Sequence, residues 1–173
     1  MPHLSLSELQ ARLATIRLLV LDVDGVMTDG GLYYTETGEE LKKFNVKDGL
    51  GIQLAMKAGI EVAIVSAGSS KATLYRAKRL GIPHLFTRVE DKRFTVKFLC
   101  EQLGLSFEQV AYMGDDLVDL PAMQAVGCPI TVADAVSEIR EISLYVTERS
   151  GGEGAVREIC DVLVRAVIGA VEQ

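Results

Sequence analysis

Two clusters of carboxylates each follow a short apolar run, and they have the clearest chemical potential in this sequence. Asp22 and Asp24 follow one run, and Asp115 and Asp116 follow another. Residues two apart in a strand point the same way, so the first two carboxylates can face one site. Either cluster alone could equally cap a turn or a helix. Together, at the same edge of one parallel sheet, they predict an oxygen-rich site of the kind that binds Mg²⁺.

A hydroxyl residue and a lysine hold comparable positions further along the chain. Ser66 ends an apolar run and is followed by Ala67 and Gly68, where free backbone amides at a helix start can bind phosphate oxygens. Lys92 begins a later predicted helix. On local grounds the serine could simply cap its helix and the lysine could be a solvated surface residue. Combined with the two acidic clusters, they predict a site for phosphoryl transfer.

Such a site needs a scaffold that brings the ends of several strands together. Apolar runs of strand length alternate with segments of helical period, which is typical of an α/β domain with a mostly parallel sheet. The segment Gly30–Val46 departs from this alternation and predicts a β-hairpin standing off the sheet. We expect strands at 16–21, 62–65, 85–86, 110–113 and 128–131, with a weak one at 144–146. We expect helices after Ser5, from a cap at Asp48 to Gly59, and over 70–79, 92–103, 117–124 and 155–171.

Length and composition limit the classes of protein that fit. The 173 residues, 49% of them hydrophobic, are enough for a sizeable core and predict one domain over residues 1–173. The formal charge of -6 disfavours nucleic acid as a partner. Three scattered cysteines without a CxxC pair indicate neither a disulfide framework nor a zinc site and favour a reducing compartment. No run is long enough for a membrane helix and no signal peptide is visible, so we expect a cytoplasmic protein.

The order of these motifs resembles the haloacid dehalogenase superfamily, in particular its capless branch. Four phrases are similar to the 3-deoxy-D-manno-octulosonate 8-phosphate phosphatase family, and the resemblance covers about residues 14–166. They are DVDGVMTDG from Asp22, FNVKDGLG from Phe44, GDDLVDLP from Gly114 and GGEGAVRE from Gly151. The resemblance implies a Rossmann-like three-layer sandwich with a protruding hairpin and no cap domain. It also implies a Mg²⁺-dependent phosphoric monoester hydrolase that acts on a sugar acid phosphate in lipopolysaccharide precursor synthesis.

The same resemblance assigns roles to individual residues. Asp22 would attack the phosphorus and become an aspartyl phosphate. Asp24 would protonate the departing sugar oxygen and then activate the hydrolytic water. Lys92 would bind phosphate oxygens and steady Asp22. The phosphate-binding residues would be Ser66, Ala67 and Gly68, and the metal-binding residues would be Asp22, Asp24 through its backbone carbonyl, Asp115 and, as a further acidic contributor, Asp116.

Two departures from the family's usual pattern leave the sugar acid open. Ser66-Ala67-Gly68 stands where the family often has Thr-Gly-Arg, and Glu153 stands where it often has arginine. Glu153 could contact sugar hydroxyls or simply face solvent, while Lys47 or Arg157 could supply the missing positive charge. The eight-carbon substrate is the first expectation, and a nine-carbon sialic-type sugar acid 9-phosphate is the alternative. Because relatives form tetramers through the hairpin, we also expect a homotetramer.

Two hypotheses assign the chain to a class of protein other than enzymes, and both make it a binding module. A phospho-accepting receiver domain also combines acidic residues, a hydroxyl and a lysine on a similar sheet. In a receiver, however, the acidic pair comes on the first strand, the phospho-accepting Asp on a middle strand and the lysine last. Here Lys92 precedes Asp115, and Asp22 ends the first strand. This order favours the hydrolase over the receiver. Every position of the predicted phosphoryl-transfer site carries a residue type suited to the chemistry, which disfavours a catalytically silent interaction domain.

Overall fold

Strands and helices alternate along residues 3–171, the part of the chain that the computed structural model describes. The strands are β1 (Leu18–Leu21), β2 (Tyr33–Tyr34), β3 (Glu40–Leu41), β4 (Glu61–Val65), β5 (His84–Phe86), β6 (Val110–Met113), β7 (Cys128–Thr131) and β8 (Tyr145–Val146). The α-helices are α1 (Leu6–Leu13), α2 (Val46–Lys57), α3 (Lys71–Leu80), α4 (Lys92–Leu103), α5 (Leu120–Met123), α6 (Ser137–Ile142) and α7 (Ala155–Val171). Short 3-10 helices cover Phe107–Gln109 and Leu117–Asp119.

Six of the strands form one parallel sheet in the order β5-β4-β1-β6-β7-β8. β1 lies between β4 and β6, with Val20 level with Ala63 on one side and with Tyr112 on the other. The chain builds outward from β1 in one direction through β4 and β5, then crosses over and builds in the other direction. Ligands of open α/β sheets bind at such a reversal point, beyond the carboxyl ends of the strands. The predicted α/β fold with a mostly parallel sheet is therefore confirmed.

The core lies between the sheet and the helices that flank it. All residues of β1, β6 and β7 are buried, as the uninterrupted apolar runs predict for strands covered on both faces. Helices α1, α2 and α7 pack together as one group, and α4 packs against α5. This double cover fixes the strand ends in place, so side chains that follow β1, β4 and β6 have defined positions.

The segment between β1 and α2 forms the predicted hairpin and no cap domain. β2 and β3 pair antiparallel, with Tyr33 opposite Leu41, and Gly38 takes a φ of +81° in the connecting turn. Residues Leu32, Tyr33, Tyr34 and Leu41 are all exposed. An isolated two-stranded ribbon is marginally stable, so contacts beyond its own two strands must hold it.

The structure differs from the sequence-based expectations at several places, among them the helix expected over 117–124, which is a 3-10 helix followed by the short α5. Asn45, not Asp48, caps α2, because its side chain accepts the Lys47 amide at 2.8 Å. Asp48 is buried one turn further on and accepts the backbone amide of Arg157 at 2.8 Å, so it caps α7 from a different helix. Helix α6 was not predicted, since its six residues are too few to show a helical period.

None of the described helices is long and apolar enough to cross a membrane.

Candidate active site

The carboxyl ends of the central strands surround one cavity of about 260 Å³. Asp22 directly follows β1, Ser66 follows β4, and Asp115 follows β6 after Gly114, while Lys92 is the first residue of α4. The residues that line the cavity are Asp22, Asp24, Gly25, Gly30, Ser66, Ala67, Gly68, Lys92, Asp115, Asp116 and Val118. The structure therefore brings together every predicted site residue except Lys47 and Glu153.

Lys92 lies between two buried carboxylates. Its Nζ is 2.9 Å from Oδ1 of Asp22 and 2.6 Å from Oδ1 of Asp119. Burial by itself lowers the pKa of Lys92, but these two carboxylates more than offset it and hold the pKa above the ordinary value for lysine. The ammonium thus keeps its charge next to the carboxylate that the resemblance assigns as nucleophile.

Asp119 belongs to the carboxylate cluster at this site but was not among the predicted site residues. Asp119 is fully buried. Its Oδ1 accepts a hydrogen bond from the Tyr112 hydroxyl at 2.8 Å, and its Oδ2 accepts one from the Asp115 amide at 3.1 Å. Gly114 permits this approach, because a Cβ there would lie 2.5 Å from Cβ of Asp119. The signal was present in the spacing Gly-Asp-Asp-x-x-Asp, whose last member returns to the strand end after one short helical turn.

Three carboxylates form a cluster that fits a hard divalent cation. One oxygen each from Asp22, Asp115 and Asp119 lie within 4.8 Å of one another. Oδ1 of Asp115 is buried and has no hydrogen-bond partner among the described residues. Three carboxylates face one lysine here, and an oxygen donor set with excess negative charge is what Mg²⁺ requires. The group thus has the charge and the free ligand atom to bind this ion.

The same crowding shifts the acidities of the cluster. Burial, followed by the charges of Asp22, Asp119 and Asp116, raises the pKa of Asp115 to about 8. Burial and the charge of Asp119 raise the pKa of Asp22 to about 6, although Lys92 acts in the opposite direction. Carboxyl groups with raised pKa values in a cavity are typical of metal and catalytic sites.

Asp116 lies at the edge of this cluster and not within it. Its side chain is exposed and accepts the amide of Leu117 at 2.7 Å, which caps the 3-10 helix that follows. It lines the cavity, but the three-oxygen group is completed by Asp119. Its assignment as a further acidic contributor to the metal site stays a prediction.

The loop after β4, which begins at Ser66, forms one wall of the cavity. Ser66 is buried and its Oγ accepts the amide of Gly68 at 3.1 Å. The backbone of Ser66 makes two hydrogen bonds: its amide donates to the carbonyl of Phe86 at 2.9 Å, and its carbonyl accepts the amide of Val89 at 3.1 Å. A Cβ on Gly68 would lie 3.4 Å from both Ser66 Oγ and Asp24 Oδ2, so the two side chains share this wall. A hydroxyl and a loop backbone in this position are suited to bind phosphate oxygens.

Lys42, on the hairpin, is a second residue that the predicted set did not include. Its side chain is only 3% exposed, and its Nζ contacts Asp24 and lies 2.9 Å from Oε1 of Glu40. The hairpin thus reaches back to a carboxylate of the site. Nothing in the local pattern of the hairpin distinguishes Lys42 from Lys43, because the contact depends on how the hairpin folds onto the loop after β1.

Lys47 and Glu153 lie outside the cavity of their own chain. Lys47 lines a separate cavity of about 310 Å³, together with Arg149 and Arg157. Glu153 is exposed and lies 3.3 Å from the ammonium of Lys43. Their role in substrate binding therefore stays a prediction.

Comparisons with known proteins place the chain in a family. The family of haloacid dehalogenase-like hydrolases matches residues 84–159. The 3-deoxy-D-manno-octulosonate 8-phosphate phosphatase of Escherichia coli strain BL21-DE3 is 46% identical over 92% of this chain and 85% of its own. The enzyme of that name from Yersinia pestis is 48% identical over 90% of this chain and 83% of its own.

Solved structures show the same likeness in three dimensions. The Moraxella catarrhalis 3-deoxy-D-manno-octulosonate 8-phosphate phosphatase, in complex with a magnesium ion, a phosphate ion and a KDO molecule, is 38% identical. It has a TM-score of 0.92, with 97% of each chain covered. A cobalt-bound phosphatase from Haemophilus influenzae is 41% identical, with a TM-score of 0.87 over 92% of this chain and 93% of its own. The likeness extends over almost the whole chain and is not confined to the motifs.

Proposed function

We propose that this chain, which belongs to the 3-deoxy-D-manno-octulosonate 8-phosphate phosphatase family of haloacid dehalogenase-like hydrolases, hydrolyses 3-deoxy-D-manno-octulosonate 8-phosphate to the free sugar acid and phosphate. The observation that carries the proposal is the position of the Lys92 ammonium, 2.9 Å from Asp22 and 2.6 Å from Asp119, in a cavity walled by Ser66. This arrangement combines an activated carboxylate with donors for phosphate, as phosphoryl transfer requires.

The reaction takes place in two displacements at phosphorus. In the first, a carboxylate oxygen of Asp22 attacks, the bond between phosphorus and the sugar oxygen breaks, and Asp24 gives its proton to that oxygen. In the second, Asp24 takes a proton from water, whose oxygen attacks phosphorus and releases inorganic phosphate. Asp22 then returns to a free carboxylate. The net change consumes one water and yields the sugar acid and phosphate.

The phosphoryl oxygens bind to donors that are already in place. The Lys92 ammonium, the Ser66 hydroxyl and the backbone of Ala67 and Gly68 line the same cavity. Because these groups are held by burial and by backbone hydrogen bonds, they need little reorganisation as charge develops on the phosphoryl group.

The metal site is assigned from the carboxylates that meet at this cavity. Asp22 and Asp115, with the backbone carbonyl of Asp24, would hold Mg²⁺, and Asp119 lies beside them in the same cluster. The free buried oxygen of Asp115 supports this choice. Bound there, the ion neutralises the repulsion between a carboxylate nucleophile and an anionic phosphoryl group.

The assembly is proposed as a homotetramer formed through the hairpin. Leu32, Tyr33, Tyr34 and Leu41 are exposed apolar side chains on a short two-stranded hairpin. The cavity has no cap domain, so neighbouring copies would supply the walls that enclose a sugar. In that arrangement Lys47 and Glu153 are proposed to meet the sugar acid of an adjacent copy.

The compartment is proposed as the cytoplasm. Cys100, Cys128 and Cys160 are all buried and unpaired. Free buried thiols are normal in a reducing environment.

The direct test is a comparison of substrates with purified protein and Mg²⁺. We expect kcat/KM to be highest for 3-deoxy-D-manno-octulosonate 8-phosphate and activity to disappear with EDTA. A higher kcat/KM for a nine-carbon sialic-type sugar acid 9-phosphate would replace the substrate but keep the reaction. Absence of turnover on these substrates and on p-nitrophenyl phosphate would contradict the enzyme assignment and favour a binding module.

A further inference from the structure

We infer that Lys42 is a positioning residue that orients Asp24 toward the leaving group. The inference rests on the proposed function, because it concerns the proton transfer assigned to Asp24. Asp24 stands on the loop after β1 with a side chain that is 40% exposed. Among the described residues, Lys42 is its only hydrogen-bond donor. A carboxylate on an open loop has many rotamers, so this contact decides where it points.

Lys42 is itself held firmly. Its Nζ contacts both Asp24 and Glu40, and Glu40 also accepts the Tyr34 hydroxyl at 3.4 Å. The ammonium is buried between these two carboxylates and would lose both by turning away. Unpaired burial of a charge is costly, so the side chain has one favoured position. The hairpin therefore presents a fixed cation to the catalytic loop.

The two oxygens of Asp24 face different partners. Oδ1 is bound by Lys42, while Oδ2 faces the wall made by Ser66 and Gly68, since a Cβ on Gly68 would be 3.4 Å from it. That wall binds phosphate in the proposed mechanism. Holding Oδ1 thus presents Oδ2 toward the place where the oxygen between phosphorus and sugar would lie.

Proton transfer in the transition state needs a donor within hydrogen-bond reach. Without Lys42, Asp24 would rotate over the exposed positions open to it and spend less time in reach of the leaving oxygen. Asp22, Asp115 and Lys92 make none of their hydrogen bonds or ion pairs with Lys42 in the part of the chain described. The loss would fall on the two proton transfers of Asp24, leaving-group departure and the later activation of water, and not on phosphate or metal binding. Because kcat/KM covers steps only up to departure of the leaving group, it reports the first of the two transfers.

The test compares leaving groups in Lys42→Met, a substitution that keeps most of the length of the side chain and removes its charge. A sugar oxygen needs a proton to depart, whereas p-nitrophenolate leaves without one. General acid catalysis contributes ~10²–10⁴-fold, and partial loss of orientation should remove ~10- to 100-fold of it. We expect kcat/KM for an alkyl phosphate that the wild type hydrolyses to fall by this factor, and kcat/KM for p-nitrophenyl phosphate to change by less than ~3-fold.

The matched control is Lys43→Met. Lys43 is the next residue, and it pairs with Asp29 at 2.8 Å and with Glu153 at 3.3 Å, not with Asp24. Its ratio of alkyl to aryl kcat/KM should equal that of the wild type. Lys42→Gln keeps a donor without the charge and should give an intermediate ratio, and it provides the comparison if Lys42→Met does not fold.

An equal loss on both substrates in the Lys42 variants, or no loss on either, would overturn the positioning role. That outcome leaves the proposed function standing, because the wild-type activity is measured in the same series. Conversely, a wild type inactive on sugar acid phosphates would remove the proposed substrate, while the ratio is still measured with another alkyl monoester.

Discussion

The backbone of Gly151 lies against the carbonyl oxygen of Gly25 so closely that a Cβ on Gly151 would overlap it. Gly25 in turn has a φ of +85°, and a Cβ there would overlap the carboxylate of Asp115. Gly152 completes the contact by donating its amide to Val26 at 3.0 Å. The loop before α7, the loop after β1 and a carboxylate of the proposed metal site are therefore stacked without space between them.

Gly151→Ala should disturb the site through this stack. The added methyl must push the loop after β1 toward Asp115, and overpacking of this kind costs about 1–3 kcal/mol. We expect a lower melting temperature and a loss of kcat/KM of at least ~10-fold, since small displacements of catalytic groups are expensive. Gly169→Ala is the control, because a Cβ there meets nothing within 4 Å. Equal behaviour of the two variants would show that the stack does not matter.

Asp22→Asn should abolish turnover while the fold persists. The amide keeps the shape of the side chain and removes the attacking charge, so kcat should fall by more than ~10³-fold. It also removes one charge from a crowded acidic cluster, so the melting temperature without metal should not fall appreciably. Kinetics and thermal unfolding of the same preparation check both statements. Turnover near that of the wild type would contradict the nucleophile assignment.

In the metal-free protein, the contribution of Asp115 to stability should fall as the pH rises from about 4 to 8. The pKa of Asp115 is raised from its ordinary value of 3.8 to about 8, so over this range the native state binds more protons than the unfolded state. This stabilisation is complete below the unfolded pKa and is lost as the pH rises through the folded pKa. Melting temperatures in EDTA across this range measure it, and Asp115→Asn should have a flatter dependence than the wild type.

Added Mg²⁺ should reverse this trend. The ion competes with protons for the carboxylates, so its stabilising effect should be larger at pH 8 than at pH 5. A melting temperature that responds neither to Mg²⁺ nor to EDTA at pH 8 would contradict the metal site.

Tyr33→Asp should weaken the proposed tetramer. Tyr33 is 56% exposed on the hairpin, and a charge there would be buried without a partner on assembly. Light scattering should show smaller particles for this variant and tetramers for the wild type. Phe94→Asp changes an aromatic residue that is 67% exposed on α4 and should leave the tetramer intact. Only monomers of the wild type at micromolar concentration would rule out the assembly.

Glu153→Arg tests whether this position selects the substrate. An arginine there could pair with the carboxylate of a sugar acid held by an adjacent copy, where a glutamate repels it. We expect a changed ratio of kcat/KM between eight-carbon and nine-carbon sugar acid phosphates. Glu141→Arg, an exposed glutamate on α6, should leave the ratio unchanged. An unchanged ratio in Glu153→Arg would make the residue an ordinary surface charge.

Local patterns in the sequence determined most of the fold. The bounds of α4, α7, β6 and β7 agree with those expected, and α1 begins after Ser5 as predicted, where Ser5 and Glu8 form a capping box. Hydrophobic period and caps involve residues within a few positions of each other, so the chain carries this information without its tertiary context. The same holds for the acidic pairs, because the carboxyl ends of neighbouring parallel strands must meet at one edge.

Only the tertiary structure decided which side chains pair across the site. Lys92 meets Asp119 from 27 residues away, Lys42 meets Asp24, and Asp48 caps α7 and not its own helix. Lys47 and Glu153 belong to two of the four phrases that carry the family resemblance, but they lie away from the cavity of their own chain. The physical reason is that such pairings depend on the path of loops and on the packing of one element over another. No periodicity of residue types encodes either of these.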